Sequence, residues 1–290
     1  MPQQKTIRML VFGIVAISAI TTSFGIFSDD GAGAYDYQSI RGKIVEIYGK
    51  GIYRHMSGEV AVQRIAQDYV TLLIGIPLLL IGLFWAGKNS LKGRFLLAGT
   101  LGYFFVTFLF YTTMGMYNIM FLGYVALLCL TFFALTLCLL SFNLEELPSR
   151  FSQATPAKFA GGFLVFNATS IALLWLSIIL PPLFDGSIYP VELAHYTTLI
   201  VQGLDLGLLL PLGFVSAVLF LKQTAWGYLL APVYMIFLSI LMTALTAKII
   251  AMALVGVNVI PVIIIIPTIN LIAIGCSAQL LRNVKQVSGT

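Results

Sequence analysis

The chain has 290 residues, of which 59% are apolar and only 9% are charged, and its formal net charge is +5. A water-soluble domain of this composition would lack the polar surface needed to cover its apolar residues, so a soluble globular protein is excluded. No cluster of Lys and Arg is dense enough to follow a phosphate backbone, which argues against nucleic acid as a partner.

Eight apolar segments follow one another along the chain, and each approaches the length needed to cross a bilayer. A hydrocarbon core of ~30 Å takes ~20 helical residues to span. We therefore predict an all-α, polytopic transmembrane helical bundle that forms a single domain over residues 1–290. The predicted spans are Met9–Phe27, Tyr69–Gly87, Arg94–Met116, Asn118–Phe142, Phe159–Pro181, Thr198–Leu221, Trp226–Leu254 and Val257–Leu281.

The first apolar segment follows Lys5 and Arg8, a pattern that is also typical of a secretory signal. No convincing small-x-small cleavage motif precedes Ser28. The sequence therefore favours a retained membrane anchor.

The longest water-facing stretch is the external loop at about residues 28–68. Apolar residues such as Ile40 and Ile44 recur there at helix-like intervals, which predicts a short helix on the membrane surface. Ser57 is a favourable residue for a helix start, so we predict one long helix over Glu59–Ala86 whose first two turns stand outside the bilayer.

Basic residues are distributed unequally between the two sides of the predicted bundle. Ten of the 16 Lys and Arg residues fall on the side of the N-terminus, and six fall on the opposite side. Under the positive-inside rule this places both termini in the cytoplasm, as in a multi-pass protein of the plasma membrane.

The second and third spans resemble the sixth and seventh. Lys88 and Gly93 have the same separation as Lys222 and Gly227, and each pair follows a span with an acid in its outer part and a proline below it. A duplication would relate two four-helix halves of the same orientation by an axis along the membrane normal. Leucine-rich helices also align by chance, and the sequence leaves both explanations open.

Polar side chains lie along several spans that should be apolar, and in lipid such groups face the bundle interior. At 100° per residue, Tyr103 and Tyr111 share one face of the third span, and a sixth helix beginning near Pro190 would align further polar residues. These stripes lie mainly in the outer half, which predicts an outward-facing polar cavity. The candidate ligand-binding residues are Asp205, Gln202, His195, Asp68, Gln67, Gln63, Tyr111 and Tyr103.

Asp205 lies ~25 Å above the inner face if it belongs to a regular helix ending at Lys222. A carboxylate at that depth needs a partner, water or a proton. It is either a group that binds a cation or a proton, or a structural acid paired with Lys248, Arg64 or tyrosine hydroxyls. The sequence leaves both roles open.

The chain has two histidines, His55 and His195, and three cysteines that all lie inside apolar segments. No His-x-x-x-His or Glu-x-x-His spacing occurs, and no nucleotide-binding or nucleophile motif is present. We therefore predict no metal site, no cofactor and no catalytic residue.

The chain resembles an uncharacterised group of bacterial multi-pass integral membrane proteins that has no assigned activity. The resemblance covers most of the second to seventh spans and implies the same topology, but it adds no chemistry. It rests on Tyr48-Gly-Lys-Gly-Ile-Tyr53-Arg54, Ala66-Gln67-Asp68, His195-Tyr-Thr-Thr-Leu199 with Gln202, and Leu204-Asp205-Leu206.

Three classes of function fit these observations. The favoured one is a non-enzymatic membrane protein that binds, senses or transports a small polar or cationic solute through the outward-facing cavity. One alternative is an intramembrane enzyme for a lipid or quinone-like substrate, with His195 and Asp205 as acid and base. Another is an accessory subunit that docks a protein partner through the external loop. The lipid bilayer is the one partner that the composition predicts directly.

Overall fold

The computed structural model describes residues 3–285 and has, within them, eight helices that are long and apolar enough to cross a membrane. The predicted all-α transmembrane bundle is confirmed, and the chain is an integral membrane protein. The helices are α1 Gln4–Phe27, α2 Gly58–Gly87, α3 Leu91–Thr113, α4 Phe121–Leu140, α5 Ala157–Ile179, α6 Ile200–Leu221, α7 Ala225–Leu254 and α8 Val262–Asn283.

The helices connect two faces of the bundle. The face that we call the terminal face comprises the start of α1 and residues 88–90, 141–156, 222–224 and 284–285. The opposite one, the hairpin face, comprises residues 28–57, 114–120, 180–199 and 255–261. On the terminal face the end of α8 is joined to the segment between α4 and α5, because Phe151 and Val284 form an antiparallel bridge.

The predicted surface helix in the external loop is wrong. Residues Tyr35–Gln38 (β1) and Ile44–Ile47 (β2) instead form an antiparallel hairpin in which Tyr35 is opposite Ile47. Along β2 exposed and buried residues alternate, which is the period of a strand. Gly42, with φ at +80°, permits the tight connection between the strands.

The sixth span agrees with the predicted Thr198–Leu221, because α6 begins at Ile200, and the helix does not extend back to Pro190 as the alignment of further polar residues would require. A short 3-10 turn at Val191–Leu193 is followed by Ala194 with φ at +48°, a left-handed conformation that ends the turn. The segment is bound to the hairpin instead, since Lys43 Nζ donates to the carbonyl of Val191 at 2.9 Å.

The eighth helix begins later than predicted, because α8 starts at Val262 and not near Val257, directly after Pro261. Pro267 lies inside α8. The long second helix is confirmed, since α2 runs without a break from Gly58 to Gly87.

Both α2 and α6 contain one widened π-helical turn, at Thr71–Gly75 and at Asp205–Leu209. In each helix a proline, Pro77 or Pro211, is the second residue after that turn. Proline lacks an amide hydrogen and its ring crowds the carbonyl four residues earlier, and a π turn relieves that crowding. The recurrence of turn and proline favours duplication over chance.

The centre of the bundle is formed by α3 and α7, whose most apolar windows are each 72% buried. These two helices occupy equivalent places in the two halves, and they pack against each other through small residues. A Cβ added to Gly99 of α3 would lie 2.5 Å from the side chain of Ile236. Contact between equivalent helices at the centre is consistent with a pseudo-symmetry axis that relates the two halves and runs along the bundle.

Candidate ligand-binding site

Asp68 of α2 is the most enclosed acidic side chain of the predicted site, with 1% of its surface exposed. Tyr53 donates its hydroxyl to Oδ2 at 2.6 Å, and Tyr111 of α3 donates to Oδ1 at 2.9 Å. Helix α1 closes the third side at Gly25, where an added Cβ would overlap the carboxylate. Two helices and the hairpin-face loop therefore approach one carboxylate, and its two oxygens are both hydrogen-bonded.

Arg64 lies one turn before Asp68 on α2 and is 6% exposed. Its guanidinium carbon is 3.8 Å from the ring centroid of Tyr111, a cation–π contact. Nη2 donates to the carbonyl of Phe110 at 3.3 Å. Nη1 is buried and has no hydrogen-bond partner among residues 3–285, so it is a free donor on the residue one turn before Asp68.

Gln67, the residue before Asp68, forms a second set of hydrogen bonds with the next turn of α3. Its Nε2 donates to the hydroxyl of Tyr103 at 2.8 Å and to Thr107 Oγ1 at 3.2 Å. The Tyr103 hydroxyl is also 2.8 Å from Thr71 Oγ1. Within the described part of the chain Gln67 Oε1 is buried without a partner, and it supplies a free acceptor. We refer to Tyr53, Arg64, Gln67, Asp68, Thr71, Tyr103, Thr107 and Tyr111 as the polar cluster.

Tyr53 is the member of the polar cluster that comes from the hairpin-face loop. Burial raises the pKa of its phenol well above the ordinary value, and the nearby Asp68 carboxylate raises this pKa further. Tyr53 therefore remains a hydrogen-bond donor at any physiological pH.

Asp205 lies apart from the polar cluster, on α6, and is half-buried. Its Oδ2 accepts a hydrogen bond from the indole Nε1 of Trp175 on α5 at 2.8 Å. Lys248 of α7 is near enough to interact electrostatically with both Asp68 and Asp205. The sequence suggested Lys248 as one possible structural partner of Asp205. Lys248 contributes an electrostatic interaction, but the direct hydrogen-bond donor to Asp205 is the indole of Trp175.

His195 lies on the hairpin face outside the membrane helices. Its Nε2 is 3.2 Å from the carbonyl of His55, and its ring lies against that of Tyr196, tilted by 36° with the ring centroids 4.4 Å apart. Its Nδ1 is buried with no hydrogen-bond partner in the described residues. An acid–base enzyme would need His195 and Asp205 to act together. In the structure His195 instead contacts His55, and Asp205 contacts Trp175.

The structure places four of the eight predicted site residues in the polar cluster, in two adjacent hydrogen-bonded groups: Asp68 with Tyr111, and Gln67 with Tyr103. Asp205 and His195 have other partners, as described above. Gln63 and Gln202 are half-buried, on α2 and α6.

Three residues that shape these sites were not among the predicted site residues: Tyr53, Arg64 and Trp175. Arg64 was detectable, because it lies four residues before Asp68 and thus on the same face of a helix. Tyr53 and Trp175 gave no such signal, since each reaches its carboxylate from a different element.

No family model, curated protein or solved structure matches the chain. Within residues 3–285, no three His, Cys, Asp or Glu side chains come together in a way that could hold a metal ion.

Proposed function

We propose that the protein binds a small polar solute at the polar cluster and transports it or senses it, with the hairpin face outside the cell. The observation that carries this proposal is the pair of buried atoms without a partner in the described residues, Arg64 Nη1 and Gln67 Oε1, which belong to residues within one helical turn of Asp68. Buried polar groups are almost always hydrogen-bonded, and unpaired ones concentrate where a ligand completes the network.

The chemistry of the two free atoms defines the class of solute. Arg64 Nη1 is a charged donor that would take a carboxylate or carbonyl oxygen, whereas Gln67 Oε1 would accept a hydrogen bond from an N–H or O–H group. Asp68 and Lys248 add one charge of each sign near these atoms. A small molecule with an acceptor oxygen at one end and an amine or amide at the other fits this arrangement.

Access to the polar cluster is governed by the segment that carries Tyr53. This residue is 1% exposed and lies on the chain that covers the polar cluster from the hairpin face. A solute from that side reaches Arg64 when the Tyr53–Asp68 hydrogen bond opens. The hairpin-face loop then acts as the cover of the site.

The test uses thermal unfolding of the purified protein in neutral detergent. The probes are a panel of amino acids, amines, dicarboxylates and sugars. A compound at 100 times its Kd stabilises the folded protein by ~2.7 kcal/mol, which raises the unfolding temperature measurably. We expect at least one amine- or amide-bearing acid to do so in the wild type.

Arg64→Gln removes the free donor and should abolish this stabilisation. Asp205→Asn, a charge removal outside the polar cluster, is the matched control and should retain it. The proposal is wrong if no compound stabilises the wild type, or if Arg64→Gln responds as the wild type does. Uptake of the stabilising compound into proteoliposomes then separates transport from sensing.

A further inference from the structure

The terminal face contains a cavity of about 790 Å³ between the α2–α3 turn and the segment that follows α4. Four cationic side chains line it, and one carboxylate does. The cations are Lys88, Lys92, Arg94 and Arg150, and the carboxylate is Glu146.

The single carboxylate neutralises one cation only. Glu146 pairs with Arg150 at 2.7 Å, and this hydrogen bond lowers the pKa of Glu146, which therefore stays ionised. Lys88, Lys92 and Arg94 form no ion pair within residues 3–285. The cavity thus keeps an excess of positive charge.

Arg94 and Lys92 contact neutral oxygens at the edge of the cavity. Arg94 Nη1 donates to the carbonyl of Ser141 at 3.3 Å, and Lys92 Nζ is 3.5 Å from the carbonyl of Arg282. Arg94 Nε is buried without a hydrogen-bond partner in the described chain. A buried guanidinium nitrogen without a partner is a strong donor for an anion.

The start of α3 adds to the positive potential, because Ser90 and Leu91 also line the cavity. The first amides of a helix carry partial positive charge and bind anions. Ser90 Oγ accepts from Gly93 N at 3.3 Å, so the turn is capped and its geometry is fixed.

The equivalent turn in the second half shows that this basic character is not required by the backbone. That turn has the same conformation, since Gln223 adopts a left-handed φ as Asn89 does and Thr224 caps Gly227 at 3.1 Å. The residues equivalent to Lys92 and Arg94 are nevertheless Trp226 and Tyr228. Two cations are thus added to a turn that folds without them.

We propose that this cavity binds a phosphate group through Lys88, Lys92 and Arg94, and that the phosphate belongs to the headgroup of an anionic phospholipid. Trp85 lines the same cavity and is 45% exposed. Tryptophan prefers the headgroup region, and basic pockets between membrane helices take anionic headgroups. A free phosphate ester has the same charge and oxygens, and the experiment separates these two sources. The site is independent of the polar cluster, which lies towards the opposite face.

The experiment measures lipid binding to the full-length protein in neutral detergent, by native mass spectrometry and by thermal unfolding. The probes are phosphatidylglycerol, phosphatidylcholine and glycerol 3-phosphate. Lys92→Gln and Arg94→Gln each remove one cation from the cavity, and Lys222→Gln removes one from the equivalent turn of the second half. Lys92 is at the edge of the cavity, so its variant tests the site even if Arg94→Gln folds poorly.

We expect phosphatidylglycerol to bind more tightly than phosphatidylcholine, and its affinity to fall roughly tenfold in each cavity variant but not in Lys222→Gln. Glycerol 3-phosphate binding with the same dependence on the variants would identify a soluble phosphate ester as the source. The proposal would be overturned if phosphatidylglycerol and phosphatidylcholine bound equally and glycerol 3-phosphate did not bind. It would also be overturned if Lys222→Gln lost as much affinity for phosphatidylglycerol as the cavity variants do.

Discussion

Asp68 and Asp205 are both carboxylates within membrane helices, but their surroundings differ. Asp68 accepts hydrogen bonds from two tyrosine hydroxyls, whereas Asp205 accepts one from an indole. Removing a carboxylate from water is costly unless it is hydrogen-bonded or paired. The more enclosed acid therefore has the more complete set of donors, and its position depends on the close approach of α1.

The approach of α1 is tested by Gly25→Ala. The added methyl group would overlap Asp68 Oδ2 and would come within 2.8 Å of the Tyr53 hydroxyl. We expect a loss of about 1–3 kcal/mol in the free energy of unfolding, because overpacking of a closely packed site is destabilising.

Gly162→Ala on α5 is the matched control, because an added Cβ there meets no atom within 4 Å. It should leave the unfolding temperature unchanged or slightly higher. Equal unfolding temperatures for the two variants would show that α1 does not press on Asp68. The unfolding temperature of Gly25→Ala should be below that of Gly162→Ala both in detergent and in nanodiscs.

Half of the candidate site was predictable because its residues lie on regular helices. Projection at 100° per residue correctly placed Tyr103 and Tyr111 on the inner face of α3. The same projection was wrong for His195, because the helix that it assumed begins later, at Ile200. Contacts between separate segments, such as Lys43 with the loop before α6, hold that region in another conformation. Such contacts cannot be obtained from the period of one segment.

At the level of the elements, the two halves share a π turn, a proline and a left-handed residue in the same order. The same number of residues separates Pro77 from Asn89 and Pro211 from Gln223. When the two halves are aligned in this way, the residue equivalent to Asp205 is Thr71 and not Asp68. The two acids that suggested the duplication are therefore not equivalent. The duplication is better supported by backbone geometry than by the acids.

The shared turn predicts matched effects of Gly93→Ala and Gly227→Ala. An added Cβ would lie 2.5 Å from the backbone nitrogen of Ala86 in the first case, and 2.3 Å from the backbone of Leu219 in the second. Neither backbone can give way without separating two helices. We expect each variant to lose about 1–3 kcal/mol of stability.

Gly102→Ala is the control for this pair, since its nearest contact would be an ordinary 3.7 Å to Phe237. It should unfold close to the wild-type temperature. If only one of the two turn variants were destabilised, the turns would not be structurally equivalent. Thermal unfolding followed by tryptophan fluorescence provides the measurement.

At the level of the whole molecule, the two halves depart from symmetry where they meet. Helix α2 packs closely on α7, but its counterpart α6 is separated from α3 by an apolar cavity of about 150 Å³. Leu209 and Leu212 of α6 and Gly102 of α3 line this gap. Helix α2 therefore contacts the central helix of the other half directly, whereas α6 is kept from α3 along this gap.

The orientation of the molecule follows from its charges and is tested by cysteine labelling in intact cells. The terminal face and adjoining helix ends carry ten of the 16 basic residues, which predicts that this face is cytoplasmic. Ile40 at the hairpin tip is 89% exposed, and Glu145 is exposed on the terminal face. The native cysteines lie inside α4 and α8, so the wild type should give little background.

A membrane-impermeant maleimide should label Ile40→Cys in intact cells, and Glu145→Cys only after the membrane is permeabilised. The hairpin face would then be outside, as the proposed solute site requires, and the basic cavity would meet the inner leaflet, where anionic lipids are enriched. The reverse pattern would place the basic cavity outside. It would contradict the orientation on which both proposals depend, while leaving the geometry of the polar cluster intact.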